Sequence, residues 1–307
     1  MQSFHNEIAF ITGGASGAGF GQAQVFGRAG ARIVVADIRT AAVDQAVAAL
    51  QAEGITAHGI TLDIMDRAAY ARAADEVEAV FGAPPSLLFN TAGVNSFGPV
   101  ENTSYDDFDW IVGVNLGGVI NGMVTFVPRM IASGKPGHIV TTSSLGGLMG
   151  SALAAPYSAA KAAVINLMES YRQGLEKHGV GVSVLCPANI RSNIAEASRL
   201  RPAQFGKSGY VENDDSIASL HSIHQHGMDP VELAEHVKRG IEANQLYIIP
   251  YPEAKEGLAA HYAQILDSVL PMEADPEGAR LRTEALQNWA ADRARVFMES
   301  NSAKSGG

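Results

Sequence analysis

Thr12-Gly13-Gly14-Ala15-Ser16-Gly17-Ala18-Gly19 stands between an unbroken apolar run, Ile8–Thr12, and an Ala/Gln/Val/Phe-rich helical pattern that reaches about Ala29. Strand, glycine turn and helix in that order let backbone amides approach a pyrophosphate, and the helix N-terminus favours its charge. A glycine turn without a ligand is the plain alternative. The position between strand and helix at the chain start favours the phosphate. The same alternation continues outward. Strand-like runs at Arg32–Ala36, Ile55–Leu62, Ser86–Phe89, His138–Thr142, Gly181–Leu185 and Gln245–Ile249 alternate with helical patterns at Ala41–Glu53, Arg67–Phe81, Pro156–His178 and Val231–Ala243. One long helix is expected from Thr103 to about Ser133, opened by a Thr103-x-x-Asp106 capping box.

Strands alternating with helices imply right-handed crossovers and a parallel sheet covered on both faces. Continuous apolar strands suit such burial. The expected fold class is therefore α/β: a Rossmann-type doubly wound parallel seven-stranded sheet over residues 1–250, with its ligand beyond the carboxyl ends of the strands. Two segments fall outside the pattern. The irregular, Ser/Gly/Asp/His-rich stretch 195–229 has the length of a lid or binding element. Residues 251–307 read as a helical C-terminal extension, with helices at about Glu253–Leu270 and Pro276–Glu299 and a disordered tail from Ser302. The extension could cap the site or pack on a neighbouring subunit.

Composition narrows the function classes. The 307 residues are 47% hydrophobic and 18% charged, which excludes a disordered or fibrous chain. A net charge of −10 without a basic block argues against nucleic acid or an anionic membrane surface as the main partner. The uncharged stretches Trp110–Pro128 and Ile139–Ala160 are too polar for a bilayer span and read as buried core. With one cysteine, Cys186, and no basic start before an apolar run, a cytoplasmic location is expected.

Asp37 ends the second strand, where a carboxylate can accept hydrogen bonds from an adenosine ribose and repel a 2′-phosphate; this favours NAD over NADP. Arg39 is the opposing signal if it turns inward, and a solvated loop arginine is the expected state. Tyr157 and Lys161 lie at i and i+4 on one helix face. A free phenol ionises at about pH 10, and a fixed ammonium would supply much of the shift needed for it to act as a base near neutrality.

Together these motifs make the chain, from about Glu7 to Pro250, closely resemble the short-chain dehydrogenase/reductase family. TGGASGAG (residues 12–19) is similar to its cofactor motif, Asp63-Ile64 to its adenine-contact pair, and Asn90-Thr91-Ala92-Gly93 to its Asn-Asn-Ala-Gly motif, with Thr91 in place of the second Asn. Asn115 matches its helix asparagine. Ser144 stands 13 residues before Tyr157, the family interval, and is preferred over Ser143. Pro187-Ala188-Asn189-Ile190-Arg191-Ser192 is similar to Pro-Gly-x-Val-x-Thr, with Ala188 in place of glycine. The resemblance implies that Tyr157 is the general base in alcohol oxidation. It implies that Ser144 bonds the substrate oxygen, and that Lys161 lowers the Tyr157 pKa and holds the nicotinamide ribose. Asn115 would link Lys161 to solvent. It further implies NAD contacts from Gly13, Ser16, Gly17, Ala18, Asp37, Ile38, Asp63, Ile64, Asn90, Ala92, Gly93, Pro187, Ile190 and Ser192, and no metal.

Asn90–Val100, Tyr105–Leu116, Asn121–Gly134, Pro187–Ala203, Ser216–Gly227 and Tyr247–Glu253 also resemble the Cα-dehydrogenases of bacterial lignin β-aryl-ether catabolism. That likeness implies a small-molecule aromatic secondary alcohol as substrate, guaiacylglycerol-β-guaiacyl ether, oxidised to its aryl ketone. It also implies a homodimer or homotetramer. Dehydrogenases of steroid, sugar or acyl alcohols are the rival reading, and a non-catalytic NAD-binding regulator is a further one. His224 or His226 could bond a substrate phenol, with metal ligation by His221, His224 and His226 the lesser alternative. Phe97, Phe205, Tyr210 and Tyr251 could line an aromatic pocket or simply pack.

Overall fold

In the computed structural model, which describes residues 1–211 and 214–304, seven strands form one parallel sheet. They are β1 (Ile8–Thr12), β2 (Arg32–Asp37), β3 (Ala57–Thr61), β4 (Leu87–Asn90), β5 (Gly137–Thr142), β6 (Val180–Leu185) and β7 (Tyr247–Ile248). Their order is β3-β2-β1-β4-β5-β6-β7. The order reverses between β1 and β4, where Thr12 pairs with Asn90. A crevice opens beyond the strand ends at such a reversal. β1, β4 and β5 are buried along their whole length, as a sheet covered on both faces requires.

The helices are α1 (Gly17–Arg28), α2 (Thr40–Ala52), α3 (Arg67–Phe81), α4 (Tyr105–Val112), α5 (Gly118–Ala132), α6 (Leu145–Leu148), α7 (Ala155–Leu175), α8 (Asp214–Gln225), α9 (Pro230–Glu242), α10 (Ala254–Asp267) and α11 (Pro276–Lys304). Phe10, Tyr70 and Phe126 meet in one aromatic cluster that packs α3 and α5 onto β1. On the other face Phe26 of α1 contacts Phe89 of β4 and Phe4 of the N-terminal segment.

Three sequence expectations are corrected. The expected helix Thr103–Ser133 starts later and is interrupted. Ser104, not Thr103, is the N-cap, because its hydroxyl accepts from Asp107 N at 3.1 Å while Asp107 Oδ2 accepts from Ser104 N at 2.9 Å. A π-helical turn, Gly113–Gly117, then separates α4 from α5. The segment 195–229 is not irregular throughout: it carries 3₁₀ turns at Asn193–Leu200 and Ala203–Phe205, and then α8. The tail is helical through Lys304, and the rest of the stretch expected to be disordered, 305–307, lies outside the described residues.

Residues Met1–Ala254 form one compact unit and Lys255–Gly307 a second. Tyr105–Ala132 is long and apolar enough to cross a membrane, yet over half of its most apolar window is buried, with Trp110, Met123 and Phe126 in the core.

Candidate active site

A cavity of about 430 Å³ occupies the crevice at the strand ends. Its floor at one end is the glycine turn. Gly13 has φ +65°, and a Cβ there would come within 2.9 Å of Ala92 Cα. A Cβ on Gly19 would stand 2.2 Å from Gly13 O, so the turn closes only with hydrogen at that position. Ser16 is the N-cap of α1, yet its side chain bonds none of the helix amides, which leaves them for a ligand. Close backbone approach, open amides at a helix start and a carboxylate one strand away suit a dinucleotide such as NAD.

Most of the expected cofactor residues line this cavity: Gly13, Ser16, Ala18, Asp37, Ile38, Asp63, Ile64, Ala92, Gly93, Tyr157, Lys161, Pro187, Ile190 and Ser192. Two do not. The Asn90 side chain turns into the core, where Nδ2 donates to Thr141 Oγ1 at 3.1 Å. Gly17 faces a neighbouring opening beside Ser192. Thr91, the departure from the family motif, donates its hydroxyl to Gln22 Oε1 of α1 at 2.7 Å and so retains a structural bond. Ala188 costs nothing in backbone conformation, since the positive-φ non-glycine residues are Asn6 and Asn244.

Arg39 is only partly solvated. Its guanidinium turns inward and forks onto Asp37, Nε to Oδ1 and Nη2 to Oδ2, both at 3.0 Å; Nη2 also reaches Ser16 Oγ at 2.9 Å. That bond to Asp37 raises the guanidinium pKa. Asp37 is therefore shared between this cation and any ribose hydroxyl, and its repulsion of a 2′-phosphate is partly neutralised. Arg39→Ala should widen the kcat/KM preference for NAD over NADP about tenfold, the effect of one charge-assisted bond of about 1.5 kcal/mol. Steady-state kinetics with both cofactors checks this, and an unchanged ratio would mean that Arg39 leaves phosphate recognition untouched.

At the other end, β5 delivers Thr142, Ser143 and Ser144, and α7 delivers Tyr157 and Lys161 one turn apart. Both serines line the cavity; Ser143 is buried and donates to Lys161 O at 2.8 Å, a structural tie, whereas Ser144 hydrogen-bonds Tyr157. Ser143 is thus tied to the main chain of α7, which leaves Ser144, the serine at the family interval, as the candidate. Burial pushes the Tyr157 phenol upward, the Ser144 bond pulls it back, and the Cys186 sulfur adds to the rise. Burial also brings Lys161 down to about 8. Its Nζ donates to Thr142 O at 2.8 Å and stands 5.6 Å from the Tyr157 ring centroid. Thr142 O takes one of the three donors of the ammonium, and in the protein alone burial is the largest influence on the phenol.

Asn115 sits in the π turn, wholly buried. Its Nδ2 donates to Val94 O and Ile111 O, and its Oδ1 accepts from Val94 N. The side chain is fully used in fixing the loop after β4 beside Lys161, so any link to solvent must run through the backbone.

The histidines are dispersed in their bonding. His221 faces Glu196 at 3.4 Å, His224 bonds Ile190 O at 3.1 Å, and His226 bonds Ser222 O at 3.1 Å. Among the described residues no group of three or more His, Cys, Asp or Glu could hold a metal. The second half of the insert instead backs the cofactor wall, since Met228 N donates to Asn189 O and Arg191 N to Met228 O. Of the aromatic candidates, Phe97, Phe205, Tyr210 and Tyr251 all lie away from the cavity lining. The start of the segment expected as a lid or binding element does line the cavity, through Glu196, Arg199, Leu200 and Pro202; the lining residues that the sequence did not single out include Trp110 and Ile194. Trp110 and Ile194 stand 30 or more positions from Tyr157 and Lys161, and no local pattern marks them.

A family model described as short chain dehydrogenase matches residues 7–202. The chain is 75% identical over 301 residues to a C alpha-dehydrogenase of Sphingobium sp. (strain NBRC 103272 / SYK-6), covering 98% of this chain and 99% of that protein. It is similar to the apo form of LigD from Sphingobium sp. strain SYK-6, with a TM-score of 0.75 and 66% identity over 88% of this chain and all of that one. It is also similar to a short chain dehydrogenase/reductase from Burkholderia phymatum in complex with NAD, with a TM-score of 0.82 and 30% identity over 88% of this chain and 98% of that one.

Proposed function

The chain belongs to the short-chain dehydrogenase family, and we propose that it oxidises the Cα secondary alcohol of lignin-type β-aryl ethers, such as guaiacylglycerol-β-guaiacyl ether, to the aryl ketone with NAD. The observation that carries this reading is the 75% identity to a C alpha-dehydrogenase over nearly the whole chain, including the segment that walls the cavity. Gly13 and the open amides at the start of α1 would hold the pyrophosphate of NAD and Asp37 its adenosine ribose, and the bound cofactor would supply the hydride acceptor. Tyr157 takes the hydroxyl proton as C–H cleavage proceeds. Ser144, capping α6 and bonded to the phenol, orients the substrate oxygen and stabilises its developing charge. Lys161 holds the nicotinamide ribose and offers its positive charge to the phenolate.

The test is NADH absorbance with each stereoisomer of the diaryl ether beside a steroid, a sugar alcohol and an acyl alcohol. Preferential turnover of the ether is expected. A silent ether with an active sugar alcohol or steroid would overturn the substrate assignment and leave the family intact.

A homo-oligomer is part of the same reading. The α4–α5 pair exposes Tyr105 almost fully and Val124 by 64%, with Phe108 and Ile120 partly exposed, an apolar face of the kind that oligomers cover. Light scattering should give a mass of at least twice the 32.2 kDa chain. A monomer at micromolar concentration would refute it.

A further inference from the structure

Asp107 of α4 is wholly buried, and Arg201 is only 6% exposed. Arg201 Nη1 meets Asp107 Oδ1 at 2.7 Å. The same carboxylate accepts from Ser104 N, Ser104 Oγ, Ser208 Oγ and Gly209 N, all at 2.7–3.0 Å. Burial raises its pKa, and the bonds from Ser104, Ser208 and Gly209 outweigh this and bring it down to about 2, so it stays charged at any working pH. Arg201 Nη2 donates to Phe205 O at 3.1 Å, and the guanidinium lies 5.2 Å from the Trp110 ring centroid. The main chain beside it is closely packed, since a Cβ on Gly209 would stand 1.8 Å from Asn102 O.

A buried ion pair is weak evidence for stability, because desolvation offsets its attraction. Here the balance is poorer still, since Arg201 Nε is buried without a partner. What the pair does is join two walls. Trp110, beneath the guanidinium, lines the cavity, and so do Arg199, Leu200 and Pro202, whereas Arg201 between them turns away from it.

We propose that the Asp107–Arg201 pair is a positioning device that fixes Trp110 and residues 199–202 as the wall for a substrate with two aromatic rings, without touching the reacting carbon. The inference rests on the aryl-ether reading for the identity of that substrate. Removing the fork should release the wall and leave the proton and hydride machinery in place.

The experiment compares wild type with Arg201→Lys, which keeps the charge and loses the planar fork, and Arg201→Met, which also loses the charge. Steady-state constants are measured for the diaryl ether and for a one-ring benzylic secondary alcohol, with NAD affinity by fluorescence titration. Arg201→Lys should raise the ether KM about tenfold with little change in kcat, the signature of lost ground-state positioning. Its one-ring KM and NAD affinity should stay within about twofold of wild type, and Arg201→Met should show a larger split in the same sense. Hydrogen exchange across 193–205 should quicken in both. If both alcohols and NAD weaken together, or exchange is unaltered, the pair only holds the fold. Should Arg201→Met fail to fold, Arg201→Lys decides. A wild type inactive on the ether refutes the substrate assignment, and the positioning role is then judged on the exchange of 193–205 together with unchanged one-ring kinetics.

Discussion

Tyr157→Phe should fold, bind NAD as the parent does, and lose about 10²–10⁴-fold of its turnover, the usual contribution of a general base. The ring still packs against α6 and Lys161, so only the proton acceptor is removed. The direction of the pH profile follows from the site. Tyr157 is held above its ordinary value by burial, against the pull of Ser144. Alcohol oxidation needs the phenol to give up its proton, so kcat/KM with saturating NAD should rise with pH. Ser144→Ala removes the one hydrogen bond that favours the phenolate. Its rising limb should therefore move to higher pH, in addition to a lower plateau. A Tyr157→Phe enzyme with near-parental turnover would dismiss the assignment, and a Ser144→Ala limb at lower pH would dismiss the hydrogen bond as the tuning element.

Lys161→Met should nearly abolish activity and weaken NAD binding, yet make the protein more stable. Lys161 is 3% exposed, and burial lowers its pKa from 10.5 to about 8. Below pH 8 the folded protein must hold a proton that its interior disfavours. The cost follows from the pKa difference and is about 3 kcal/mol at most. The sign with pH is definite. Between about 8 and 10 the unfolded chain keeps the lysine proton that the folded chain has released, so stability should rise with pH in that window. In Lys161→Met the rise should vanish, and Tm below pH 8 should exceed that of the parent. Thermal melts from pH 6 to 10, set beside NAD titrations, would decide it; a less stable variant would mean that the bond from Nζ to Thr142 O outweighs the desolvation. A site that retains a destabilising group is one where function rather than stability selects the residue.

The alternation of apolar strands and helices, the glycine turn and the Ser144, Tyr157 and Lys161 spacing were legible because each is local. A strand needs only its own apolar run, a turn only its glycines, and a helix face only the i and i+4 positions. Local rules therefore determined the sheet and marked the glycine turn and the candidate catalytic residues. They erred where two neighbouring residues compete for one role. Thr103 and Ser104 can both cap, and burial of Asp107 against Arg201 settles the contest for Ser104. They erred again at Arg39, whose direction depends on a carboxylate and a hydroxyl that only the folded β2 and α1 bring within 3.0 Å. The tertiary structure alone decided three further matters. It put one of the Lys161 donors on Thr142 O beside the phenol. It set the second half of the insert behind Asn189–Ile190. It also joined Trp110 to residues 199–202 as one wall. Each of these is a meeting of side chains tens of residues apart, paid for by desolvation, and desolvation has no value until the chain has closed around the group.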